Sequence, residues 1–244
     1  MRVPRVYLDA PLTPGEQIPL DKRAHHHLAH VLRLKPGAPL VVFNGTGGEY
    51  EASLCEVARR SSSVLVETFQ NIEREAVLAV QLWQGVAKGA RMDYALEKAV
   101  ELGVVRVRPI LTQYAAIRRS DWTRKVAHWR GVIISACEQS GRTRLPALEH
   151  PVSLRECVAP EDDAPCLLLD PRAEQSLGSI NNPTHRLTVL IGPEGGLCAQ
   201  EIAHAERLGF QRVRLGPRTL RTETAALVAI TAAQLLWGDL FETH

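Results

Sequence analysis

The sequence predicts an α/β fold preceded by a small β-barrel that carries one helix. Two observations carry this. Short runs rich in β-branched residues, separated by turn signals, fill the first seventy residues, whereas beyond Asn71 apolar strand-like runs alternate with longer helical segments. A third observation bounds the answer: 244 residues with 45% hydrophobic and 23% charged side chains can bury a sizeable core and exceed a single small module. Two unequal domains are expected, 1–70 and 71–244, with the polar Asn71 to Glu75 as linker.

In the first part, Leu40 to Phe43, Tyr50 to Val57 and Val64 to Phe69 read as strands, punctuated by Asn44-Gly45, Gly47-Gly48 and the polar Arg59 to Ser63. One helix, Asp21 to Leu34, precedes them and is stopped by Lys35-Pro36-Gly37. In the second part the strands are Val77 to Leu82, Val105 to Ile110, Cys166 to Leu169, Leu187 to Ile191 and Val213 to Leu215. The helices are Met92 to Leu102, Trp122 to Gln139, Ala199 to Leu208 and Thr222 to Trp237. Such alternation implies a largely parallel sheet, and ligands of such sheets bind beyond the carboxyl ends of the strands.

Twenty-nine basic against 27 acidic residues give a formal charge of +2, which by itself points to no polyanion. The distribution is uneven: Arg106 to Arg144 is net +7 and Leu145 to Asp170 net −5. The five cysteines never lie closer than nine residues apart, which excludes a readable disulfide framework or Cys-x-x-Cys metal site and suits reduced thiols in the cytoplasm. The N-terminus lacks an apolar signal core, and Ala225 to Trp237 is broken by Thr231 and Gln234, so neither secretion nor a membrane span is indicated.

The densest chemical signal is Ile191-Gly192-Pro193-Glu194-Gly195-Gly196-Leu197, between a strand and a helix. Glycines there let backbone N–H and C=O groups approach a ligand, although an ordinary tight turn needs the same residues. The spacing fits neither the dinucleotide fingerprint nor the P-loop. A second Gly-Pro turn, Leu215-Gly216-Pro217, leads through Arg218 and Arg221 to a helix that Thr222 or Thr224 would cap, with Glu223 in its first turn. Those arginines suit either plain solvation or contact with an anion. The helix ending in Glu138-Gln139-Ser140-Gly141-Arg142 carries Arg124, Lys125, Trp129 and Arg130, a pattern of phosphate contact and base stacking or of a solvated face. His25-His26-His27 with His30 lacks the Glu, Cys or Asp partners of a metal site and reads as surface or RNA-facing; no metal is expected.

Taken in order, these segments resemble the RsmE family of bacterial ribosomal RNA methyltransferases. The likeness is carried by Arg2-Val3-Pro4-Arg5, His26-His27-Leu28, Val31 to Gly37, Lys98 to Val104, Glu138 to Arg142, Ile191 to Gly196 and Leu215 to Ala225. It implies a PUA-like RNA-binding β-barrel followed by a SPOUT-type α/β domain with a C-terminal trefoil knot. It also implies a homodimer that uses S-adenosyl-L-methionine to methylate N3 of a uridine in 16S rRNA, on free RNA or the small ribosomal subunit. The cofactor is then expected among Leu168, Leu169, Ile191, Gly192, Pro193, Glu194, Gly195, Gly196, Leu215, Gly216 and Leu220. One departure stands out: after Thr112 the family usually carries Arg-Ser, where this chain has Gln113-Tyr114-Ala115-Ala116.

On this reading Arg221 stabilises charge on the reacting base, and Glu194 or Glu223 accepts its proton. Arg2, Arg5, His27, Arg33 and Lys35 of the barrel, with Arg130 and Arg142 of the second domain, contact RNA. A non-catalytic RNA-binding or ribosome-assembly factor on the same fold is the competing class.

Overall fold

A computed structural model of the chain describes residues 3–115, 121–160, 164–181 and 185–241. The chain forms two compact units. One runs to Glu75 and takes in Cys137–Leu145; the other holds Ala76–Ala136 and the residues from Pro146 on.

In the first unit, β1 (Arg5–Tyr7), β3 (Pro39–Phe43), β4 (Glu49–Val57), β5 (Ser62–Gln70) and β2 (Gln17–Pro19) form one sheet in that order. Only β1 and β3 pair in parallel. The two-residue period of Leu40 and Val42, and of Val64 and Val66, sends these side chains into one core with Val6, Leu28, Ala52 and Leu54. The expected helix is real but irregular. Asp21 caps it by accepting from the Ala24 N–H at 2.7 Å, α1 covers only Lys22–His25, and the chain widens into a π-helical turn over His26–Val31.

Cys137–Leu145 joins this unit through charge. Arg142 donates from Nε to Glu75 at 2.9 Å, Arg144 from Nε to Glu73 at 3.1 Å, and Arg23 to Glu138 at 3.0 Å. Arg74 donates to the Gly141 carbonyl and to Glu49, both at 3.0 Å, and Arg5 also pairs with Glu49. The polar stretch expected as a linker therefore supplies two of the carboxylates that hold the segment. The compact units divide after Glu75 rather than after residue 70 for that reason.

The second unit is a parallel sheet ordered β12 (Phe210–Val213), β10 (Cys166–Leu169), β11 (Arg186–Ile191), β6 (Ala79–Gly85), β7 (Val104–Leu111), β8 (Ala147–Leu148), with β9 (Val152–Ser153) also on β7. Both faces are buried, as parallel strands require. On one, Val80, Leu82, Leu187, Val189 and Ile191 pack with Met92, Leu96 and Ala99 of α2 (Ala90–Glu101) and Ala226, Ala229, Ile230 and Ala233 of α5 (Thr222–Trp237). Trp129 of α3 (Trp122–Ser140) joins them, only 3% exposed. On the other face Trp83, Leu168, Leu190 and Phe210 pack with Ala205 of α4 (Ala199–Arg207). The last strand begins at Phe210, not Val213, because the left-handed Gly209 (φ 91°) ends the helical segment and turns the chain straight into it. No disulfide joins the five cysteines, and burial pushes the Cys137 thiol up to about 12. Among the described residues no helix is long and apolar enough to cross a membrane.

The Arg142 and Glu75 side chains are 5% and 13% exposed, so Arg142→Ala strands a largely buried carboxylate and is expected to cost about 3–5 kcal/mol. Urea unfolding checks this. Glu49 gives a pH signature: burial pulls its carboxyl up, but hydrogen bonds from Arg74 and Arg5 outweigh that and hold it below its ordinary value of 4.5. A depressed carboxyl stabilises the fold above its unfolded value and loses the effect as pH falls through the folded one. Glu49→Gln is therefore expected to unfold at lower urea than the parent at pH 7, with the gap closing below about pH 4. A constant gap would contradict it.

Candidate functional site

Because β6, β10, β11 and β12 are parallel, their carboxyl ends meet at one edge of the sheet, and the loops that follow β10, β11 and β12, with Arg91 of α2, line a cavity of about 530 Å³. Ten of the eleven residues expected to hold a cofactor border it: Leu168, Leu169, Ile191, Gly192, Pro193, Glu194, Gly195, Gly196, Leu215 and Leu220. Gly216 falls outside the lining.

The glycine loop is shaped by close approaches. A Cβ on Gly85, at the end of β6, would lie 2.4 Å from the Pro193 nitrogen, and one on Gly195 would lie 2.6 Å from Cβ and 2.9 Å from the carbonyl oxygen of Tyr114. Gly196 takes φ +69° and closes the turn by donating its N–H to the Pro193 carbonyl at 2.8 Å. Thr222 is not the cap expected of it. Arg221 occupies the cap position without a side-chain bond, and Thr222 instead donates its hydroxyl to the Gly192 carbonyl at 2.7 Å while accepting from Gln84 Nε2 at 2.9 Å. The segment after β7 is pinned as well. The buried Glu201 carboxylate accepts the Gln113 N–H at 2.6 Å and the Cys198 N–H at 2.9 Å.

Arg221 is exposed and lines the cavity, and no described carboxylate pairs with it. Glu194 accepts from the Lys88 N–H and from Arg91, each at 3.1 Å. Burial alone would raise its carboxyl, but those bonds hold it below the ordinary range, which weakens it as a base. Glu223 has one carboxylate oxygen 4.0 Å from Arg91 Nε and the other buried with no hydrogen-bond partner among the described residues. Asp170 also lines the cavity. Burial raises its carboxyl, yet bonds from the Arg172 side chain and backbone and from Arg212 leave it lowered.

The expected RNA contacts divide. His27 is half-buried, and Arg33, Lys35 and Arg130 are exposed. Arg5 and Arg142 are corrected: their side chains, 7% and 5% exposed, are committed to Glu49 and Glu75, and Arg142 belongs to the first unit. Arg2 lies outside the described residues. Trp129 offers no stacking face, being in the core against Trp122. The basic run from Arg106 to Arg144 is partly neutralised, since Arg106 and Arg108 both pair with Glu149.

Arg91, Asp170, Arg172 and Gln84 were not signalled by a motif. Asp170 and Arg172 follow a strand end directly, where the carboxyl-end rule would have placed them; Arg91 and Gln84 come from segments roughly a hundred residues upstream of the loops they meet. Among the described residues no three His, Cys, Asp or Glu side chains are grouped to hold a metal ion.

A family model described as an RNA methyltransferase domain matches residues 74–234, and one described as an RNA methyltransferase PUA domain matches 20–66. The chain is 31% identical over 242 residues to a Ribosomal RNA small subunit methyltransferase E from Buchnera aphidicola, covering 98% of each protein. It is 31% identical to the protein of the same name from Mycobacterium bovis, covering 94% of this chain and 90% of that one. The crystal structure of a Ribosomal RNA small subunit methyltransferase E from Neisseria gonorrhoeae bound to S-adenosyl methionine superimposes with a TM-score of 0.90 at 34% identity, covering 98% of this chain and 100% of that one. With a methyltransferase model across most of its length and such relatives from end to end, the chain belongs to the ribosomal RNA small subunit methyltransferase E family.

Proposed function

We propose that this chain transfers a methyl group from S-adenosyl-L-methionine to N3 of a uridine in 16S rRNA, acting as a cytoplasmic homodimer on RNA or on the small ribosomal subunit. The observation that carries the reading is the cavity at the strand ends. Its volume of about 530 Å³ lies within the range of about 300–1,000 Å³ usual for small-molecule sites. Leu168, Leu169, Leu215 and Leu220 suit a flat purine, the open backbone of Gly192 to Gly196 suits its polar edge, and Arg91 and Arg218 suit an amino-acid carboxylate. The residues present therefore fit the donor, and the donor bound to the Neisseria gonorrhoeae relative supports the fit.

When bound, that donor supplies an electrophilic methyl carbon on a sulfonium. The chain's own task is to align the base, exclude water and manage the proton on uracil N3. Ionising a group of pKa about 10 at pH 7 costs roughly 4 kcal/mol. Arg221, free of carboxylates at the cavity, stabilises the negative charge that develops on the flanking carbonyl oxygens. Glu223, just outside the cavity lining beside Arg91 and with a buried oxygen lacking a partner, is the residue we assign to accept the proton. Glu194 anchors the glycine loop to the start of α2 instead. Outside the cavity, His27, Arg33, Lys35 and Arg130 engage the RNA. For the dimer, the support is the apolar surface on and just beyond α5: Val228, Leu235 and Leu236 are 40%, 44% and 50% exposed, and Phe241 77%.

Calorimetry should detect S-adenosyl-L-methionine binding to the parent and, nearly unchanged, to Arg221→Ala, while single-turnover methylation of 16S rRNA by that variant falls at least about 100-fold. Near-normal turnover would remove Arg221 from the chemistry. Glu223→Gln is expected to slow transfer at pH 7 and to recover toward pH 9, as uracil ionises unaided; a loss independent of pH would point to mere structure. Sedimentation of Leu235→Glu/Leu236→Glu should give a monomer where the parent is a dimer, and an unchanged mass would reject α5 as the interface.

A further inference from the structure

Arg33 holds a backbone conformation that arginine seldom adopts. Its φ is 53°, the sole positive value on a non-glycine among the described residues. It follows the π-helical turn, just past the terminal Leu32, and the turn closes when the Leu34 N–H donates to the Leu28 carbonyl at 3.0 Å. Glycine usually fills such a left-handed position, since a Cβ crowds the next carbonyl oxygen. An arginine there lowers folding stability unless its side chain gains an interaction that offsets the strain.

Within the fold it gains none. Arg5, Arg23, Arg74, Arg142 and Arg144 of the same unit all bind carboxylates, whereas exposed Arg33, like Arg59 and Arg60 in the turn between β4 and β5, makes no hydrogen bond or ion pair with any described residue. Lys35, two residues on, is exposed and equally unpaired. Val31 and Leu32 beside them are 57% and 40% exposed. The end of this turn thus offers two unneutralised cations next to apolar side chains, a surface matched to phosphates and the sugar faces between them. A π-helical turn is itself a rare conformation found mostly where function demands it.

We propose that the left-handed backbone at Arg33 is retained because it aims the guanidinium at an RNA phosphate, so that one residue lowers folding stability and raises substrate affinity together. This rests on the RNA-methylating reading above. The test uses the full chain as parent, Arg33→Gly, Arg33→Ala and Arg33→Lys, each followed by thermal melting, filter binding to 16S rRNA at several salt concentrations, and calorimetry with S-adenosyl-L-methionine.

Both Gly and Ala remove the cation, but only Gly relieves the strain. Arg33→Gly should melt about 2–4 °C above Arg33→Ala. Both should bind RNA several-fold more weakly than the parent, with a log–log salt slope reduced by about one, and Arg33→Lys should keep the parent slope. Equal melting of the Gly and Ala variants would overturn the strain, and parent-like RNA binding by either would overturn the contact. Donor binding is expected to stay at the parent level throughout. A parent that binds neither donor nor RNA would instead defeat the wider reading.

Discussion

The site depends on a single hydroxyl used in both directions. Thr222 stands where three chain segments converge: the end of β6 through Gln84, the end of β11 through Gly192, and the start of α5 through its own backbone. All of this happens out of water, with Gln84 fully buried and Thr222 5% exposed, so each bond acts in a low dielectric. The contact of Gly85 with Pro193 adds a steric lock at the same junction. A loop with three glycines would otherwise sample many conformations. Here its first peptide is tied, its turn is closed internally, and Gly195 leaves no room for a side chain against Tyr114.

Charge is used in two ways that composition does not distinguish. In the first unit, arginines and glutamates neutralise each other at low exposure and knit together segments far apart in sequence. At the cavity Arg91 and Arg172 are paired with Glu194 and Asp170, whereas Arg218 and Arg221, like Arg33 at the end of the π-helical turn, meet no described carboxylate. The carboxylates of Glu194 and Asp170 serve as anchors, held ionised by the groups they bind. Glu223, outside the cavity lining, differs from both in keeping one buried oxygen that no described donor reaches.

Long periodic elements were legible in the sequence because their burial follows from spacing: the strands of the parallel sheet and the helices α2 to α5 fall within a few residues of expectation. The three-residue strands β1 and β2 and the two-residue β8 and β9 carry too few residues for a period to show. Asn71 to Glu75 looked like a linker because its residues are polar. Polarity does not say whether an acid meets water or an arginine 67 residues away, as Glu75 does. The sequence leaves Trp129 open between stacking and an amphipathic helix, since helical spacing reports which residues share a face and not which face is covered. The glycine loops were legible through composition alone. Gln84 and Arg91 were not, because their importance arises only when the sheet brings them beside residues more than a hundred positions later.

The discontinuity of the first unit bears on synthesis. A chain emerging from the ribosome displays β1 through β5 early, yet Glu75 must wait for Arg142, 67 residues downstream, and Arg23 for Glu138, 115 residues downstream. Amino-terminal domains ordinarily complete themselves first during translation. In this protein all five strands of the amino-terminal sheet are made well before the segment Cys137–Leu145 that completes their unit, so the final consolidation of that unit is a late event in biogenesis.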